Sequence, residues 1–67
     1  MTGLGDVTMF SAQRGIGEVT MDDGAVVAFH ATALTDGTRD VAVGTRVQAV
    51  IAATHRGGQH AVEVSPI

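Results

Sequence analysis

Apolar residues along the chain recur at a period near two rather than the 3.6 of a helix, in short runs cut by glycine and aspartate. Five β-prone runs follow from that pattern: Asp6 to Ser11, Gly15 to Met21, Ala25 to Ala31, Thr45 to Thr54 and His60 to Ser65. "DDG" (Asp22 to Gly24) supplies a tight turn between the second and third runs, because Asp and Gly tolerate positive φ. The stretch from Ala31 to Gly44 is the long connection, with a helical turn expected at Thr32 to Leu34. "HRGGQ" (His55 to Gln59) reads as a hairpin turn. In the last run Val62 and Val64 are expected to point inward and Glu63 outward, and Pro66, which has no N–H to donate, should end the strand.

A three-strand meander, a crossover and a hairpin predict an all-β, five-stranded antiparallel barrel of the OB type. Closure removes sheet edges that so short a chain has nothing to cover. A small open sheet of the SH3 kind is the competing arrangement. The chain has 67 residues, enough for a single domain over 1–67.

Composition narrows the chemistry. The sequence is 45% hydrophobic and only 3% aromatic, so the core must be built from Val, Ala, Ile, Leu and Met. It holds no cysteine, which removes disulfides, thiolate metal sites and thiol nucleophiles. No apolar run approaches the roughly 20 residues of a membrane span. "MTGLGDVTMF" lacks a basic region followed by an apolar one, so no signal peptide and a cytoplasmic location are expected. Four basic residues, all arginine (Arg14, Arg39, Arg46, Arg56), stand against seven acidic ones, a net charge of -3. That field opposes a polyanion on average, leaving any attraction to a local patch.

The order of motifs resembles a bacterial cold-shock domain from Gly5 to Ile67. The family opening G-x-V-K-W-F-N-x-x-K-G-F-G-F-I is similar to "GDVTMFSAQRGIGEV", which keeps Gly5, Val7, Phe10, Gly15 and Gly17. Its second motif, V-F-V-H-F-x-A-I, is similar to "VAFHATAL", keeping Val27, His30 and Ala33, and the family ending is similar to "GTRVQAVI" and "AVEVSPI". The resemblance implies an OB barrel that binds single-stranded RNA or DNA. It puts Val7, Val19, Val27, Phe29, Val47, Ile51, Val62 and Val64 in the interior, with Phe29 for a family valine and Ala49 for a family phenylalanine.

The family's binding groups are mostly replaced. Met9 stands for the tryptophan, Ile16, Glu18, Ala28, Ala31 and Thr38 for phenylalanines, and Thr8 for the first-strand lysine. Stacking on an aromatic contributes about 1–3 kcal/mol per base, so binding should be weaker than the family's by several kcal/mol. The residues expected to touch nucleic acid are Phe10 and His30 by stacking, Arg14 and Arg56 at phosphates, and Met9 and Ile16 on the sheet face. A second reading is a protein-interaction domain, a homodimer included. It would use the apolar patch of Met9, Ile16, Ala28 and Ala31, with Val50 nearby.

Catalytic and metal signatures are weak. "GIGEV" lacks the Lys-Ser/Thr ending of a phosphate loop, and the φ preference of turn residues accounts for Asp22 and Asp23. Ser11 and Ser65 have no nucleophile signature. His55 and His60 would face each other across the hairpin, but two nitrogens fall short of the three or four ligands of a zinc site. No enzyme activity, metal or cofactor is expected.

Overall fold

The computed structural model describes residues 1–53 and 58–67. Five strands, β1 (Thr2–Ser11), β2 (Ile16–Met21), β3 (Val26–His30), β4 (Arg46–Ala53) and β5 (Gln59–Pro66), close into a barrel in the order β1-β2-β3-β5-β4. One 3-10 turn, Ala31–Ala33, follows β3. The architecture is the expected all-β OB-type barrel, with one correction. The strands are not all antiparallel, because β3 and β5 run parallel through the pairs Ala28 with His60 and Phe29 with Ala61. Parity requires this: in a closed ring of five strands direction cannot alternate all the way round, so at least one neighbouring pair must be parallel.

β1 is four residues longer at its start than the sequence pattern indicates, because its first half carries glycine where a strand usually carries a side chain. Gly3 and Gly5 let β1 serve two partners, β4 along Thr2 to Asp6 and β2 from Gly5 onward. At Gly5, where the two pairings overlap, a Cβ would lie 2.6 Å from the Thr20 carbonyl oxygen and 2.9 Å from the Met21 Cα. Such contact with backbone cannot be relieved by a rotamer change.

Two bulges set which residues face inward. In β1 the register slips between Val7 and Met9, so Thr8 is the extra residue. Val7 is buried, Phe10 leans onto the core and Met9 turns to the outer face. In β5 the slip lies opposite Val50 and Ile51, where Val50 pairs with Glu63 and Ile51 with Ala61. That bulge overturns the expectation for Val62, which is 43% exposed, while Ala61 and Val64 are buried. Simple alternation put Val62 and Val64 on one face, and the inserted residue moves Ala61 into the inward position instead. The remaining interior expectations hold: Val7, Val19, Val27, Phe29, Val47, Ala49, Ile51 and Val64 are all in the core.

Aromatic packing fixes one end of that core. Phe10 on β1 and Phe29 on β3 lie either side of Gly17 on β2, and their rings stack with centroids 6.1 Å apart at 15°. A Cβ on Gly17 would sit 2.5 Å from Phe29 Cζ and 2.8 Å from the Met9 carbonyl oxygen. The two phenylalanines of the chain therefore meet across the one position in that row that has no side chain.

The connections follow the turn residues. Gly24 takes φ 93 in the β2–β3 turn, and the Asp23 carboxylate accepts a 2.9 Å bond from the Ala25 amide. Asp22 serves another purpose: Arg46 donates to both of its carboxylate oxygens at 2.6 Å and approaches Asp6 at 3.6 Å. That two-pronged bond to Arg46 holds the Asp22 carboxyl below the usual carboxylate range. A depressed folded-state pKa stabilises the fold above the unfolded value and stops doing so as pH falls through the folded one. The urea midpoint is therefore expected to drop further between pH 7 and pH 3 in the native chain than in Asp22→Asn, and equal drops would mean that the pair contributes nothing.

Candidate nucleic-acid interface

The cross-strand register lays out the outer face of β1, β2, β3 and β5. Met9 pairs with Glu18, Glu18 with Ala28 and Ala28 with His60, one row across four strands. Beside it runs Ser11, Ile16 and His30. Together Met9, Ile16, Glu18, Ala28, His30 and His60 border a hollow of about 130 Å³. Its walls are apolar apart from the Glu18 carboxylate and the two imidazoles. Among the described residues neither phenylalanine is free to lie flat against a base on this face, because Phe10 is engaged with Phe29.

His30 is the last residue of β3, extended at φ -91 and ψ 152 before the 3-10 turn, and its side chain makes no capping bond. Exposed there, it also borders a crevice of about 460 Å³ lined by Gln13, Arg14, His30, Thr32 and Arg39. The crevice lies between the β1–β2 turn and the chain leaving β3. The two walls are tied by the Ala31 amide, which donates to the Gly15 carbonyl at 2.7 Å. Gly15 takes φ 67 to make that turn, and the Arg14 amide donates to Ser11 Oγ at 3.3 Å. A third hollow, lined by His30, Thr32, Ala33, His60 and Val62 among others, runs along the seam between β3 and β5.

The structure thus brings together five residues expected at the site and sets three others, Phe10, Ala31 and Val50, apart from it. Arg14 and His30 share the crevice, and Met9, Ile16 and Ala28 share the hollow with His30. Phe10 stands behind the face, half-buried. Arg56 lies outside the described residues, as does His55. Two members assigned to the apolar patch do not belong to it. Ala31 is only 7% exposed because it starts the 3-10 turn folded against the Gly15 carbonyl, and Val50 does not line the hollow, being on β4 opposite Thr2 and Glu63. Thr38 sits in the β3–β4 connection, where its amide and hydroxyl both donate to Asp36 and hold that carboxyl below its usual range.

Two residues at the site were not expected there. His60 reaches the face because β5 pairs in parallel with β3, which places it beside Ala28. The parity of a five-strand ring was the available signal. Arg39 reaches the crevice through the long connection, whose path no local pattern fixes. Among the described residues no group of three or more His, Cys, Asp or Glu is placed to hold a metal, and no helix is long and apolar enough to cross a membrane. No family model and no curated protein matches the chain.

Proposed function

We propose that the protein is a divergent cold-shock-like module that binds single-stranded RNA or DNA weakly, through phosphate contacts more than through stacking. The observation that carries this reading is the meeting of His30 and Arg14 in one open crevice, next to an outer sheet face, on an OB-type barrel. Oligonucleotides are a common ligand of such barrels, and the resemblance adds the same expectation. The strand would cross the hollow, with a base against Met9 and Ile16, and place its backbone by the arginine side. Weakness follows from the lost rings and from Glu18, whose carboxylate occupies the row where the family stacks a base.

A second reading rests on the same hollow. Met9, Ile16 and Ala28 form an apolar wall that a protein partner, a second copy included, would cover. The two readings separate by mutation. If nucleic acid is the ligand, His30→Ala with Arg14→Gln is expected to weaken oligothymidine binding about tenfold, the effect of losing two modest contacts. Met9→Glu with Ile16→Glu would instead abolish a protein association that survives high salt. An unchanged oligonucleotide affinity in the first pair removes the phosphate-led reading. Glu18→Gln provides an independent check, since removing a carboxylate from the path of a polyanion should tighten binding at low salt and leave it little changed at high salt.

A further inference from the structure

We infer that the crevice between the β1–β2 turn and the β3–β4 connection is a phosphate site, built by Arg14, Arg39 and His30. The inference rests on the nucleic-acid reading for its natural ligand, a phosphodiester, and on the crevice alone for its chemistry.

Three observations point to an oxyanion. First, the described arginines divide into two kinds. Arg46 is clamped by Asp22 and Asp6, whereas among the described residues Arg14 and Arg39 have no carboxylate within ion-pair distance. In a chain of net charge -3, the two unpaired guanidinium groups line the same crevice. Among the described residues no carboxylate lines it with them. Second, Arg39 is the one described residue other than glycine with positive φ, at 55. A non-glycine residue in the left-handed region is strained, and such strain persists where the surroundings fix it. Here they do: Thr38 Oγ1 donates to Asp36 Oδ1 at 2.8 Å and lies 2.9 Å from the Asp40 carbonyl oxygen, and the Asp40 amide donates back to it at 3.4 Å. These bonds bracket Arg39 on both sides. Third, the His30 imidazole has no hydrogen-bond partner among the described residues and borders the crevice, free to donate to a ligand.

Guanidinium groups suit phosphate because their planar donors match its oxygens in pairs. The charged and titratable groups around His30 are Arg14 from the β1–β2 turn, Arg39 from the β3–β4 connection, His60 from β5 and Glu18 from β2. The Glu18 carboxylate, in the neighbouring hollow, opposes an anion, whereas both guanidinium groups attract it.

The test is a pair of amide-shift titrations of the full chain, one with inorganic phosphate and one with an oligothymidine lacking a terminal phosphate. Expected are shifts at Arg14, Arg39 and His30 with both ligands. Arg39→Gly should lose about tenfold in phosphate affinity while melting no lower than the native chain, because glycine accepts φ 55 without strain. Arg39→Gln, which keeps a side chain there, should lose affinity similarly. Phosphate that leaves these three residues unmoved, or binds both variants as it binds the native chain, would overturn the phosphate site. Oligothymidine that then still shifts Met9 and Ile16 would preserve the nucleic-acid reading with the phosphate site removed. If neither ligand shifts any residue, both fall.

Discussion

Gly17→Ala is expected to lower stability by about 3 kcal/mol, the upper part of the usual range for overpacking a core. For a domain this small that corresponds to a melting temperature lower by roughly 12–24 °C. The added Cβ would meet Phe29 Cζ at 2.5 Å, Cε1 at 2.7 Å and the Met9 carbonyl oxygen at 2.8 Å. The oxygen belongs to the β1 backbone, so it cannot swing aside, and the ring is stacked with Phe10. Relief therefore requires β1 and β2 to part or the aromatic pair to break. Either change reaches the outer face, since Met9, Ile16 and Glu18 are next to this row on the same strands. Chemical and thermal denaturation measure the loss. A variant that melts within a degree or two of the native chain would show that the Phe10–Gly17–Phe29 row is not close-packed.

The second large effect is a gain. Glu18→Phe combined with Ala28→Phe is expected to tighten oligonucleotide binding by two stacking contacts of about 1–3 kcal/mol each, from about thirtyfold up to about twenty thousandfold. Both residues lie on the outer face in direct cross-strand register, one on β2 and one on β3, so the new rings would flank the strand's path across the hollow. Removing the Glu18 charge adds to the gain at low salt. An unchanged affinity would mean that the outer face no longer lies where a bound strand passes, whatever its side chains.

How far the sequence revealed this site depends on which physical rule governs each residue. Val7, Val19, Val27 and Phe29 were placed in the interior by the motif resemblance, and Gly24 was legible because its turn needs positive φ. Val62 was not, because a bulge costs one residue of register and leaves no mark in an apolar run. Gly3 and Gly5 misled for the opposite reason: they look like strand breakers, and their lack of a side chain is what lets β1 pair on both sides. At the site, His30 and Arg14 were found through motif position. His60 was not found because only its partner across the hairpin was considered, although ring parity requires a parallel seam that gives β5 a second neighbour. Arg39 had no sequence signal, since its place depends on the hydrogen bonds of Asp36, Thr38 and Asp40 and on the course of a connection that no periodicity constrains.

The measurement that bears most directly on the account is the salt dependence of oligothymidine binding by the native chain, followed by fluorescence at about pH 7.5. With Arg14 and Arg39 each neutralising one phosphate, the plot of log affinity against log salt should have a slope of about -1.4, roughly a fivefold loss between 50 and 150 mM. Saturable binding with that slope is the predicted result. Absence of binding at low salt, or an affinity indifferent to salt, would contradict the account and leave the apolar wall of Met9, Ile16 and Ala28 as the working surface of the barrel.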